Sequence, residues 1–333
     1  MDSDKINPAN TIGLDYRAEA ARFRYRGPIW DVHTHLNDLD AARLFFEVAD
    51  LFGVERVWTM TPLPQAPAIQ AEFGDRLEFI AVPDYSQRDH PDTFTTRWLK
   101  DIVGFAAMGS RVCKLWAAPR GVDLSPALRL DSPVRREARQ LATSLGMMFM
   151  VHVADPDTWF ATKYADAGKY GTKRQQYEPL HAMLEEYADT PCIAAHIGGS
   201  PENLDFLQSL LDRHANLYVD TSATKWMVRE LSKHPEAFRA FCVRNRGRVL
   251  FGTDIVANAD SRDFDLYASR FWALRTMLET DYDGPSPIVD PDLHMVDPSL
   301  PESSTPRLRG AKLDPLTLRD TYQAAAQRLF EQR

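Results

Sequence analysis

Four of the nine histidines in this chain stand where an imidazole could do chemistry. His33 and His35 lie in Trp30-Asp31-Val32-His33-Thr34-His35, a stretch whose apolar and β-branched residues read as a strand. Side chains alternate along a strand, so His33 and His35 point the same way, with Asp31 behind them. Two neutral imidazoles side by side suit a divalent metal. The rival reading is a pair of polar residues at a solvated strand end. His152 closes a second apolar run, Met147 to Val153, and His196 closes a third, Cys192 to His196. Lys114, Asp220 and Asp254 end or follow three more.

These positions gain meaning from the elements that carry them. Eight strand-like runs alternate with helical stretches between residues 28 and 280. They are centred on Trp30–His35, Val54–Met60, Leu77–Val82, Arg111–Trp116, Met147–Val153, Cys192–His196, Leu217–Asp220 and Arg248–Thr253. That count, over ~250 residues, is that of an α/β fold of the (β/α)8 type, a TIM barrel. A doubly wound sheet is the rival, but no G-x-G-x-x-G turn follows any of the strands. Helical spacing is plain in Leu39-Ala41-Leu44-Phe45-Val48-Leu51-Phe52, opened by Asp38 and stopped by Gly53. A helix is expected to open at Ser200-Pro201-Glu202. Residues 1–27 read as a polar N-terminal extension with one short helix. Residues 281–333 read as a proline-rich arm, ordered or mobile over 281–314, followed by a last helix packed on the barrel at 315–331. In a barrel of this kind the ends of different strands converge on one mouth, where chemistry is done.

At this point the motifs match a family. Asp31-Val32-His33-Thr34-His35, Val151-His152, Ala195-His196-Ile197-Gly198-Gly199 and Phe251-Gly252-Thr253-Asp254 resemble the amidohydrolase superfamily. The similarity is to its amidohydrolase-2 branch, the group of aminocarboxymuconate-semialdehyde and γ-resorcylate decarboxylases. It covers about 28–280 and the final helix. The resemblance implies a barrel with one divalent metal, usually zinc, held by His33, His35, His152 and Asp254. His196 would stand beside a metal-activated water, and Asp254 would relay protons. Other branches carboxylate a lysine on the fourth strand and bridge two metals with it. Lys114 is therefore left open between such a bridge, a contact to a substrate carboxylate and a structural ion pair. Asp220 and Asp31 are expected to anchor a histidine or backbone rather than to bind the metal.

The segment after the fifth strand carries Lys163, Lys169, Lys173 and Arg174 against Asp166, interleaved with Trp159, Phe160, Tyr164 and Tyr170. It reads as a lid over an anionic, aromatic substrate, assisted by Arg120, or as a solvated loop of unrelated charges. Substrate contacts are thus expected from Lys114, Arg120, Trp159, Lys163 and Arg174. The other five histidines take no role.

Composition narrows the functions further. Net charge is −8 and the isoelectric point near 5.6, which gives no general attraction to nucleic acid or an anionic membrane. Three cysteines without a Cys-x-x-Cys pair fit buried thiols in a reducing compartment. No apolar run nears the ~20 residues of a membrane span. The expected setting is cytoplasmic, with a small anionic substrate as partner and a homodimer as default assembly. Three functions follow in order. The first is metal-dependent hydrolysis of a C–N or C–O bond in a small carboxylate-bearing molecule. The second is metal-dependent non-oxidative decarboxylation of an aromatic or dienoic acid. The third is a non-catalytic binding barrel.

Overall fold

The structure, a computed structural model, describes residues 7–87 and 90–331. Nine strands form one parallel sheet: β1 (Ile29–Leu36), β2 (Val54–Thr59), β3 (Leu77–Ala81), β4 (Val112–Trp116), β5 (Met148–His152), β6 (Cys192–Ala194), β7 (Leu217–Asp220), β8 (Val249–Leu250) and β9 (Ile255–Ala257). Their spatial order is β8-β7-β6-β5-β4-β3-β2-β1-β9. The two ends of that order are halves of one broken strand. β8 pairs with β7, and β9, four residues further on, pairs with β1. Between them Phe251 accepts a backbone bond from Val32 at 2.9 Å, and Asp254 donates to His33 at 2.7 Å. The sheet therefore closes into the eight-stranded barrel that the alternation of elements predicts, with helices between the strands.

Closure explains the strand composition. β4 and β5 are buried along nearly their whole length, as parallel strands covered on both faces must be. The first helix after β1, Leu39–Leu51, buries Ala41, Ala42, Phe45, Phe46, Val48 and Ala49 and is capped by Asp38. Gly53, at φ +75°, ends it in a conformation that costs glycine little.

Three local expectations are corrected. β6 stops at Ala194, because His196 and Ile197 turn to positive φ (61° and 50°). The eighth strand does not run to Thr253; it breaks after Leu250 and resumes at Ile255. Ser200-Pro201-Glu202 forms a turn, and the helix begins at Leu204 with Asn203 as its cap.

The 281–314 stretch is ordered. It folds as an antiparallel pair, β10 (Asp283–Pro285) with β11 (Arg307–Arg309), around a short helix at Asp292–Val296. The last helical run, 315–331, contains one π-helical turn at Asp320–Ala324 and packs on the barrel. Phe330 stacks on Trp58 at 4.3 Å, and Thr321 accepts a bond from Phe251 at 3.0 Å. Among the described residues no helix is long and apolar enough to cross a membrane. All three cysteines are buried, unpaired thiols.

Candidate metal centre at the barrel mouth

The site starts from β1. His33 is buried and His35 half-buried, and Asp254, at the break in the eighth strand, lies against both. Its Oδ1 is 3.1 Å from His35 Nε2 and 3.4 Å from His33 Nε2. Ligand atoms bonded at ~2.0–2.1 Å around a tetrahedral ion stand roughly 3.3–3.4 Å apart. These three donors gather within 4.8 Å of one another, with a chemistry and spacing that fit a divalent cation.

The residues behind them fix direction. Asp220, fully buried, accepts from His33 Nδ1 at 2.8 Å and from the His196 backbone N–H at 2.9 Å. That bond leaves His33 Nε2 facing Asp254, the orientation a metal-binding histidine needs. His33, His196 and Asp220 form a second close group, but the 2.8 Å contact inside it is already a hydrogen bond. Burial opposes ionisation of Asp220, yet His33, His196 and Ser222 outweigh it and hold the carboxyl well below the usual range. Asp254 behaves alike: burial is overcome by His33, His35 and His196, so it is a carboxylate. Burial, reinforced by Lys114 for His33 and by His152 for His196, pushes both imidazoles towards their neutral form. Asp31 accepts from Thr253 Oγ1 at 2.6 Å and from the His33 and Thr253 amides, both at 3.1 Å, so it ties β1 to the turn that carries Asp254.

The backbone at this mouth is held away from its ordinary conformations. His196, Ile197 and Asp254 all have positive φ, which costs ~1–3 kcal/mol at each non-glycine position. The two glycines that follow Ile197 have specific reasons. Gly198 and Gly199 also have positive φ, and a Cβ on Gly199 would stand 2.2 Å from the Ala154 carbonyl oxygen. Only glycine lets this turn lie against the backbone at Ala154, just past the end of β5.

A cavity of about 410 Å³ opens over the site. His33, His35, Lys114, His152, His196 and Asp254 supply its polar lining, so six of the strand-end residues singled out by sequence meet in one place. Met60, Val82, Tyr85, Trp116, Leu124 and Val256 supply the rest. Lys114 is buried, with Nζ 3.3 Å from His33 Nε2, and burial brings its pKa down to about 8. His152 stands apart from the close group; its Nε2 donates to Asp155 Oδ1 at 2.8 Å.

Four expected substrate contacts fall elsewhere. Arg120 is exposed on the turn Pro119–Asp123. Trp159 donates through Nε1 to Asp292 at 2.6 Å, and Lys163 pairs with Asp292 at 3.4 Å. Arg174 lines a separate depression of about 560 Å³ with Asp157 and Lys173. None of the four lines the cavity. The three lysines of the segment find acidic partners on folding: besides Lys163, Lys169 meets Asp123 at 2.5 Å, and Lys173 meets Asp157 at 2.9 Å and also Glu202. All of these counter-ions but Asp157 come from other segments, so a count along the chain could not find them.

Sequence reasoning also missed residues. Ser222 Oγ lies 2.7 Å from His196 Nδ1 and also contacts Asp220. Asp155 and Trp226 touch His152, and Tyr85 and Trp116 shape the cavity. Only Ser222, two residues past a strand-end aspartate, and Asp155, three past a strand-end histidine, carried a local signal.

A model of the family Amidohydrolase matches residues 39–293. The chain belongs to that family, in its amidohydrolase-2 branch, and is an enzyme of the amidohydrolase superfamily. Among solved structures it is similar to 5-carboxyvanillate decarboxylase from Novosphingobium aromaticivorans, complexed with manganese and 4-hydroxy-3-methoxy-5-nitrobenzoic acid. That likeness covers 92% of this chain and 96% of that one, with 11% identity and a TM-score of 0.50. A mutant of the same enzyme with manganese and the same type of ligand aligns over 92% and 97%, with 10% identity and a TM-score of 0.49. At such identities the likeness speaks to the fold. No curated protein matches the chain.

Proposed function

We propose that this protein is a metal-dependent, non-oxidative decarboxylase of a small aromatic or dienoic carboxylic acid. The observation that carries the reading is the division of one cavity between ionisable and largely apolar side chains. Asp254, the histidines and Lys114 suit a carboxylate and its neighbouring oxygen, while Met60, Val82, Trp116, Leu124 and Val256 suit a flat, apolar ring. The decarboxylase of similar fold, which binds manganese and a nitrobenzoic acid, supports it.

His33, His35 and Asp254 would hold the cation, with His152 from β5 as a fourth donor. Zinc is the ion the family resemblance implies, and manganese the one bound by the decarboxylase of similar fold. When bound, it supplies Lewis acidity that draws an anionic substrate oxygen to the mouth. Lys114 contacts the substrate carboxylate. Ser222 Oγ donates to Asp220 and accepts from His196 Nδ1–H, an assignment from the donors present. His196 Nε2 is then free to take a proton from a substrate hydroxyl and pass it to the ring carbon that bears the carboxylate. The resulting imidazolium is steadied by Asp220 through Ser222. The bond to the carboxylate breaks, its electron pair restores the conjugated ring, and carbon dioxide leaves with the new hydrogen kept on carbon. The oxygen that gave up its proton recovers one from solvent.

The test is turnover of a panel of hydroxybenzoates and dienoic acids by metal-loaded protein in deuterium oxide. Expected are release of carbon dioxide and one deuterium at the vacated carbon, lost on chelation and restored by added metal. Product carrying oxygen from labelled water, without carbon dioxide, would replace this reading with the hydrolytic one. Metal analysis adds a second check. One ion per chain agrees with the proposal, and two would make Lys114 a bridging carbamate.

A further inference from the structure

The segment after β5 does not reach the cavity, yet it is connected to two histidines that line it. Asp155, fully buried, accepts from His152 Nε2 at 2.8 Å and from the Tyr164 hydroxyl at 2.5 Å. Trp159 stands edge-on to Trp226, ring centres 5.2 Å apart. Trp226 in turn stands edge-on to His196 at 5.5 Å and to His152 at 6.0 Å. The far end of this chain of contacts is the C-terminal arm. Asp292 accepts from Trp159 Nε1 at 2.6 Å and from Arg229 at 3.2 Å. Arg229, itself buried, also holds Glu230 at 2.7 Å and pairs with Asp290. Lys163 covers the Trp159 ring at 3.3 Å from its centre.

Buried ion pairs add little stability over apolar packing of the same volume. What this hub supplies is one position for Trp159. We propose that residues 155–164 are a positioning element for His152 and His196, pinned from the arm by Asp292, and not a lid that touches substrate. Asp155 selects the His152 tautomer protonated at Nε2, leaving the Nδ1 lone pair available. Trp226 restricts rotation of both rings, and Asp292 acts on them through Trp159. The inference rests on the proposed chemistry for what the histidines do, but not for how they are held.

The test separates the two. Long-range proton–nitrogen spectra of the histidine rings, recorded on full-length metal-free protein, report each tautomer without any turnover. A single Nε2–H form of His152 is expected in the wild type, and a mixture in Asp155→Asn, in Asp292→Ala and in Trp159→Phe. In the metal-loaded enzyme, Asp292→Ala and Trp159→Phe should each lower kcat roughly tenfold. KM should stay within about twofold, because neither residue lines the cavity. The double variant should lose no more than either single one. Asp292→Asn keeps an acceptor for Trp159 and should restore most of kcat. Should Asp292→Ala fail to fold, Trp159→Phe, which keeps the ring, carries the test. Unchanged ring spectra in Trp159→Phe, or losses that simply add, would overturn the proposal even if decarboxylation is found. Altered spectra in a protein that decarboxylates nothing would uphold it and overturn only the assigned reaction.

Discussion

At the scale of single residues, the site depends on a carboxylate between two imidazoles. Asp254 Oδ1 sits 3.1 Å and 3.4 Å from the two Nε2 atoms of β1, and its own backbone is held at φ 59°. Asp254→Asn leaves the shape and removes the charge. Metal content is expected to fall from about one ion per chain to near zero, with turnover lost and the far-ultraviolet dichroism unchanged; elemental analysis and dichroism check this together. The expectation follows from exposure, since Asp254 is half-buried at a mouth rather than part of the core. A cooperative loss of structure with metal retained would show that Asp254 is a structural residue. The type of each strand-end residue was readable along the chain. Ser222 was marked only by its place two residues past Asp220, because its importance lies in touching the His196 ring and Asp220 at once.

At the scale of elements, the informative feature is the turn that follows β6. A strand was expected to run into His196, yet the chain leaves the extended conformation after Ala194 and passes four successive residues with positive φ, from His196 to Gly199. Two glycine substitutions separate the causes. Gly109 is at φ +85° with nothing within 4 Å of an added Cβ, so Gly109→Ala should cost only the conformational penalty, about 1–2 kcal/mol. Gly199→Ala meets the Ala154 carbonyl oxygen at 2.2 Å. It should cost about 2–5 kcal/mol, the same penalty plus overlap with backbone that cannot step aside. Denaturant midpoints of the two variants check the difference, and equal losses would mean that the backbone at Ala154 yields.

At the scale of the whole molecule, the last helical run closes the barrel's exterior where β2 and the eighth strand would otherwise be bare. Phe330 stacks on Trp58 at 4.3 Å, and Arg111 donates to the Phe330 carbonyl. Phe330→Ala should destabilise the protein by about 3–5 kcal/mol. Activity measured well below the transition should stay near that of the wild type, since these contacts lie away from the cavity. Thermal melting beside an activity assay tests it. A parallel fall in metal content would show that the helix also shapes the mouth.

The sequence by itself determined the barrel, because burial on both faces and helical spacing are properties of neighbouring residues and survive any arrangement of the rest. It also placed His33, His35, Lys114, His152, His196 and Asp254 at strand ends, which closure of the sheet turns into neighbours. The tertiary structure alone decided three things. It split the eighth strand, since closure asks one strand to pair with β7 and then with β1. It drew the lysines after β5 onto Asp123, Asp157, Glu202 and Asp292, and so away from the cavity. It bound the 281–314 arm to the same segment through Asp292, and to Arg229 through Asp290 and Asp292. Most of these pairings join residues far apart in the chain, and a charge finds such a partner only when folding brings the two together and removes the water between them.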